Sequence, residues 1–459
     1  MQVSSAEISS YLEDSSGYRG TADRVFLPSD VTELRELVGH AAAENIPITI
    51  AGAGSGLTGG RVPHAGWVIS LERFRNLRIE RGRAHCGAGV VLKDLQQAAA
   101  QTKQFFGPNP TESLASVGGI IATNAGGARS FRYGAVGRQV LALEATFMDG
   151  KTVRLKRGDR VDFPYSLVHV PQTTKNSAGY RLRPDLEWID LLCGSEGTLA
   201  IVSEAELQLL PEPAAILSGV VFFSSEEDAL DAVEAWRPVP ELRLLEFMDA
   251  RALEVLRPRY ANVPPRAGAA LLIEQNLTSE EDQEVDAWVD RLAQQNALAE
   301  QSWFGFAAAD HERFRNFRHA LASAVVEQGR RGGAKFSTDF AVPLDCNRDL
   351  YAYYRRRCDE LFPGEYTIFG HVGDANVHVN LLPKSSEGAT RADELMEDFA
   401  RYVVSLGGTV AAEHGVGKIK TNLLKLMYSS DEIEAMKEVK RRLDPQWLLG
   451  RGTMFEFSS

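Results

Sequence analysis

Two short runs hold the residues best suited to chemistry: His371-Val-Gly-Asp-Ala-Asn-Val-His378 and Ala412-Glu-His-Gly-Val-Gly417. The chain has nine histidines, and three of them fall in these runs. On an uninterrupted strand, positions seven apart point to opposite faces. A tight turn at Gly373-Asp374, between strand-like text at 366–369 and 377–382, cancels that parity and lets the imidazoles of His371 and His378 converge. Glu413 and His414 follow another strand-like run, 408–412, and precede Gly415 and Gly417. Two histidines and a glutamate make a divalent-metal set with a position left open, as a catalytic site needs. His414 is then free for proton transfer. Spacing alone leaves open that each is an ordinary hydrogen-bonded residue, so the rest of the chain must supply a need for a metal and a base.

The elements that would position these residues occupy a chain of 459 residues, long enough for two or three domains. A formal charge of -12 argues against nucleic acid or an anionic membrane surface as the main partner. The four cysteines show no C-x-x-C spacing and read as reduced thiols, neither a cluster ligand set nor a disulfide framework. The opening M-Q-V-S-S-A-E-I-S-S has no basic region or apolar core, so no signal peptide is expected. The longest apolar run, 214–223, is too short to span a bilayer. These features point to a cytoplasmic protein, or one peripheral at the inner membrane face.

Strand-like and helical text alternate. Asp30 opens a helix with Glu33 three residues on, in the manner of a capping box, and Leu34, Leu37, Val38, Ala41 and Ala42 follow at helical spacing. A strand at 46–50 runs into the glycine-rich loop 51–60. Gly54, Gly56 and Gly59 match G-x-G-x-x-G there, but a loop and then strand 67–71 follow instead of the helix a dinucleotide fold requires. The reading is either a flexible turn or a loop offering backbone N–H groups to an anion. Two more glycine-rich runs, 106–127 and 193–203, suggest backbone wrapped around one large phosphorylated cofactor. Downstream, strands at 217–223, 242–248 and 269–274 alternate with helices at 226–236, 250–256 and 279–294, as in an α+β substrate domain.

The ordered runs P-I-T-I-A-G-A-G-S-G-L-T-G-G, S-V-G-G-I-I-A-T-N-A-G-G, K-N-S-A-G-Y, G-S-E-G-T-L-A-I-V-S, H-x-G-D-x-N-x-H and E-H-G-x-G resemble one family. They are similar to the FAD-binding vanillyl-alcohol oxidase / p-cresol methylhydroxylase superfamily, in its D-2-hydroxyacid dehydrogenase branch. The resemblance covers nearly the whole chain from about Arg24. It implies an α+β fold: a two-subdomain FAD-binding domain over 1–213, a ferredoxin-like α+β cap carrying the metal site over 214–416, and a C-terminal helical segment, 417–459, returning to the flavin.

Residue by residue, the resemblance places the FAD pyrophosphate on Gly52, Ala53, Gly54, Ser55, Gly56, Thr58 and Gly59. Pro108, Ser116, Gly118, Gly119, Thr123, Ala125, Gly126, Gly197, Thr198 and Ile201 would contact the remainder of FAD. His371, His378 and Glu413 match the family's metal ligands, for zinc or manganese, and His414 its catalytic base. Asn376, Arg318 and Lys335 match substrate contacts. Ala51 and Ala200 depart from the family's arginine and glycine. Ala322 stands where hydroxyglutarate enzymes carry threonine, and their lysine near Ser337 is only partly replaced by Lys335, which favours a D-lactate-like substrate. The implied reaction is metal-assisted oxidation of a D-2-hydroxy acid with transfer to FAD, then to a cytochrome, quinone or electron-transfer flavoprotein. A homodimer is compatible with this reading. The alternatives are a flavoenzyme of another branch (alkylglycerone-phosphate synthase-like or sugar-oxidising), a flavin-free metallohydrolase, and an inert FAD-binding subunit of a larger complex.

Overall fold

The computed structural model describes residues 8–279 and 283–456. Its fold is α+β, built on three principal sheets. The first is parallel: Trp67–Ser70 lies between Arg24–Phe26 and Ile48–Ala51. All four residues of the central strand are buried, as a strand covered on both faces requires. Helix Val31–Ala43 packs through Leu34, Val38 and Ala41, one face at helical spacing. Asp30 caps it through Thr32 N at 2.8 Å and Glu33 N at 2.9 Å. Glu33 reaches back to Ser29 N at 2.8 Å, so the expected capping box closes one residue earlier.

The second sheet has five antiparallel strands with Ile201–Gln208 at its centre, paired to Arg83–Gly87 and Val140–Thr146. Ile48, Ile69, Ala88 and Ile201 share one core cluster, which joins the two sheets beneath the glycine-rich loops.

The third sheet has seven strands, all antiparallel in pairing, and holds the first histidine run. Both faces are covered, and side-chain parity sorts its strands. In Ala215–Phe223, Leu217, Val221 and Phe223 face one core, while Val220 and Phe222 face the other. The second core contains Phe314, Phe317, Leu321 and Val325 of the long helix Ala308–Gly332. Helix Glu226–Trp236 and strand Leu242–Met248 fall where alternation places them. The helix expected over 279–294 is observed as Gln283–Gln294, and residues 280–282 of that expectation lie outside the described residues.

One expectation is corrected. The run 408–412 is not a strand, and only Thr409 bridges Ala341. From there the chain turns to the carboxylate of Asp339, which accepts from Glu413 N (3.2 Å) and His414 N (3.0 Å), replacing a strand partner with a side chain.

Helices Thr421–Met427 and Ser430–Leu443 follow, the second with a full Ser429/Glu432 capping box. Beyond them the chain lies against the first sheet, where Leu448 O accepts from Ile48 N at 2.8 Å. Lys440, almost fully buried, donates to Thr198 O and Leu449 O, each at 2.7 Å. No helix among the described residues is long and apolar enough to cross a membrane.

A largely shielded ion cluster joins the glycine-rich part to the large sheet. Glu274 Oε2 accepts from Arg243 Nε (2.8 Å) and from Arg129 Nε (3.1 Å) and a terminal nitrogen (3.0 Å). Replacing Glu274 with alanine leaves two shielded guanidinium groups uncompensated, and the expected loss is about 3–5 kcal/mol. Urea unfolding of Glu274→Ala checks this; an unchanged midpoint would show that the cluster holds nothing together.

Candidate active site

The turn at Gly373-Asp374 does what spacing required. Strand Tyr366–His371 pairs antiparallel with Asn376–Leu381, with Phe369 opposite His378 and His371 opposite Asn376. The reversal runs through Val372–Asp374 and a left-handed Ala375 at φ 51°. Diagonal neighbours on one face of an antiparallel pair come close, and the rings of His371 and His378 are 5.4 Å apart. That face is the one turned toward helix Ala308–Gly332, because Phe369 belongs to the helix's core cluster.

Glu413 closes the group. Its Oε1 lies 3.1 Å from His371 Nε2 and 3.6 Å from the Nε2 atoms of both His378 and His414. His378 donates from Nδ1 to Thr338 O at 2.8 Å, which turns Nε2 toward the same point. Ligand atoms of His371, His378 and Glu413 all fall within 4.8 Å of one another. Two ring nitrogens and a carboxylate oxygen facing a common point fit a divalent cation.

Four residues behind this group were not picked out from the sequence. Glu246, from strand Leu242–Met248, hydrogen-bonds His371 Nδ1 through one oxygen and pairs with Arg318 Nε through the other. A carboxylate on the far nitrogen is how metal-binding histidines are oriented. Its one signal was a glutamate inside an apolar strand, L-R-L-L-E-F-M. Asp339 lies 3.5 Å from His414 Nδ1 and is neutralised by Lys420 Nζ at 2.9 Å. Lys175, in K-N-S-A-G-Y, touches Glu413. Glu196, in G-S-E-G-T, binds the next turn of the same loop, accepting from Val416 N at 2.7 Å and Gly417 N at 2.9 Å.

Burial works against charge on His371, but Glu413 and Glu246 override it and push the imidazole up to about 9. Burial also opposes ionisation of Glu413, yet His371 and Lys175 hold it well below the usual carboxylate range. His414 moves the other way: burial lowers it, against Asp339 and Glu413, so it stands neutral near pH 7.

Glu413 and His414 also form part of the wall of a cavity of about 270 Å³. The rest of the wall comes largely from the glycine-rich runs, together with apolar residues such as Ile50, Leu71, Ile120 and Leu192. Of the residues expected to hold cofactor, Gly52, Ala53, Gly54, Ser55, Gly56, Thr58, Ser116, Gly118, Gly119, Thr123, Ala125, Gly126, Gly197 and Ile201 line it. Gly59, Pro108 and Thr198 do not. Gly59 packs beside Tyr18 and donates to Asp14, while Thr198 bonds Tyr180 and Lys440, so these serve the loops behind the wall. Arg61, unexpected, holds the first loop by donating to Gly52 O at 2.8 Å. Glycine-rich loops in the wall leave backbone N–H groups open to a phosphate-bearing molecule such as FAD. Gly126 is required for close approach, since a Cβ there would lie 2.8 Å from Glu413 Oε2.

Of the expected substrate contacts, Asn376 is buried, with Nδ2 donating to Phe340 O at 2.8 Å and Oδ1 without a partner among the described residues. Arg318 is committed through Nε to Glu246. Lys335 is exposed, beyond the end of the long helix.

Residues 212–454 match the family "FAD linked oxidases, C-terminal domain", and residues 22–156 match "FAD binding domain". The chain is 32% identical to a D-lactate dehydrogenase of Archaeoglobus fulgidus, over 93% of this chain and 90% of the relative. It is 28% identical to a glycolate oxidase subunit of Bacillus subtilis (95% and 90%) and 29% identical to a D-2-hydroxyglutarate dehydrogenase of Xanthomonas citri (94% and 89%). Among solved structures, an alkyldihydroxyacetonephosphate synthase superposes with a TM-score of 0.68 at 16% identity, over 95% of this chain and 76% of that one, which speaks to the fold.

Burial pushes Glu196 up to about 7 despite its two backbone donors and the nearby Lys418 and Lys420. A carboxyl raised in the folded state holds its proton more tightly there than when unfolded. Its contribution to stability is therefore full below about pH 4 and lost as pH rises to about 7. Relative to Glu196→Gln, flavin-free wild type should lose about 2–3 kcal/mol between pH 5 and 7. Urea titrations of both proteins at the two pH values test this, and parallel pH profiles would contradict it.

Proposed function

The chain belongs to the FAD-linked oxidases, within the D-2-hydroxyacid dehydrogenase family, and from that premise we propose that it oxidises a small D-2-hydroxy acid of the D-lactate type to the 2-oxo acid. The observation that carries the reading is that one cavity is walled by three glycine-rich loops and by Glu413 and His414. The flavin, when bound, supplies the two-electron acceptor, and the divalent cation supplies a Lewis acid that acidifies the substrate hydroxyl.

In this proposal His371, His378 and Glu413 hold the cation, and Glu246 fixes the ring of His371. His414 takes the hydroxyl proton: burial keeps it neutral, and its Nε2 faces the ligand oxygen of Glu413 at 3.6 Å. Asp339 holds His414 in place through the backbone N–H at 3.0 Å and faces Nδ1. Asn376, whose Oδ1 has no partner among the described residues, is the remaining expected contact to the substrate. Arg318 keeps Nε on Glu246 and offers its terminal nitrogens to the substrate carboxylate, a planar grip that lysine does not match. Ala322 in the long helix and the exposed position of Lys335 favour a substrate without a second carboxylate. Electrons then pass to a cytochrome, quinone or electron-transfer flavoprotein.

Anaerobic stopped-flow mixing tests the proposal. D-lactate should bleach the flavin and L-lactate should not, and dialysis against a chelator should stop reduction while the flavin stays bound. His414→Ala should retain metal and flavin yet reduce about 10²–10⁴-fold more slowly. Reduction at the parent rate in that variant, with metal measured in the same sample, would remove His414 from the mechanism.

A further inference from the structure

Lys175 has no part in the chemistry above, yet its side chain is completely buried. Such a position is unusual for lysine and needs compensation. Its Nζ lies 3.2 Å from Asp374 Oδ2 and 3.2 Å from Glu413 Oε2. The segment around it is tied to both elements that it bridges. Thr174 Oγ1 donates to Asp374 O at 3.1 Å, Ser177 N donates to Ala411 O at 2.8 Å, and Ser177 Oγ accepts from Gly415 N at 3.1 Å. Lys175 thus stands on a fixed backbone between the turn of the histidine hairpin and the loop that carries Glu413.

We infer that Lys175 is a positioning residue of the metal centre: it engages one oxygen of Glu413 and so presents the other, alone, to the two imidazoles. This rests on the metal site proposed above. The geometry divides the carboxylate cleanly. Oε2 faces Lys175, while Oε1 faces His371 Nε2 at 3.1 Å and His378 Nε2 at 3.6 Å. A one-oxygen ligand leaves more of the cation's coordination shell to the hydroxyl and carboxylate oxygens of a substrate than a two-oxygen ligand does. The clamp abuts the cavity wall, where a Cβ on Gly126 would meet Glu413 Oε2 at 2.8 Å and Lys175 Cε at 3.2 Å. Space there admits the clamp only behind a glycine.

Two forces oppose one another, and the sign of a mutant's effect separates them. Charge repulsion alone makes a lysine beside a ligand weaken metal binding, so its removal would tighten it. Positioning predicts the reverse. Lys175→Met, similar in length and uncharged, should lose about 10–100-fold in Mn2+ affinity while keeping FAD, the range usual for groups that orient metal ligands. Mn2+ binding by equilibrium dialysis on the FAD-loaded protein reads this directly. Asp374→Asn, which keeps Lys175, should stay within a few-fold of wild type. The double variant should lose as much as Lys175→Met, and it carries the test if the single variant fails to fold with Asp374 unpaired. Unchanged or tighter Mn2+ binding in Lys175→Met would overturn the role. So would recovery in the double variant, which would make Lys175 only the counter-ion of Asp374. A wild type that takes up no Mn2+ would overturn the metal site itself, and this role with it.

Discussion

Three buried carboxylates, Glu246, Asp339 and Glu413, face the imidazoles of His371, His378 and His414. A fourth, Asp374, shares Lys175 with Glu413, and the architecture around them answers to that concentration of charge. Burying an ion costs several kcal/mol even after relaxation, and attraction offsets this only with good geometry. Each anion here has a cation: Arg318 on Glu246, Lys420 on Asp339, and Lys175 on both Asp374 and Glu413. These cations come from separate parts of the chain: the long helix, the segment after the E-H-G loop, and the K-N-S-A-G-Y run. Replacing buried ion pairs by apolar residues of similar volume is often neutral or stabilising, so packing alone gives no reason for this cluster.

A second constraint ties that cluster to the cavity. The loop from Glu413 to Lys418 is bound on its far side to the first glycine-rich loop, with Lys418 N donating to Thr58 O at 2.8 Å. Gly417 sits at φ 56°, and a Cβ there would lie 2.0 Å from Thr58 O, so only glycine permits the contact. Glu196, from the third glycine-rich run, receives the N–H groups of Val416 and Gly417. The loop bearing His414 is therefore built into the cavity wall rather than resting beside it. His414 and the cavity are positioned by the same hydrogen bonds.

Much of this was legible in the chain. The turn between His371 and His378 followed from side-chain parity, and alternation located the strands and helices of the large sheet. What local patterns did not reveal were residues whose partners lie far away in sequence. Glu246 meets His371 from 125 residues away and looked like one polar residue in an apolar strand. Lys175 and Glu196 stood inside quoted motifs, but nothing in their neighbourhoods announced a partner more than 200 positions downstream. The run 408–412 misled because its composition is that of a strand, whereas Asp339 satisfies the backbone that follows it. Most of the glycine-rich residues line the cavity, whereas Gly59, Pro108 and Thr198 do not, Gly59 being bonded to Asp14 and Thr198 to Tyr180 and Lys440.

The central claim is that one cavity joins a flavin to a metal held by His371, His378 and Glu413. Its most direct test is a crystal structure of the FAD-loaded protein soaked with Mn2+, with data collected at the manganese edge. The account predicts a single strong anomalous peak bounded by His371 Nε2, His378 Nε2 and Glu413 Oε1, in the cavity that holds the flavin. A peak elsewhere, or none with the flavin in place, would contradict it.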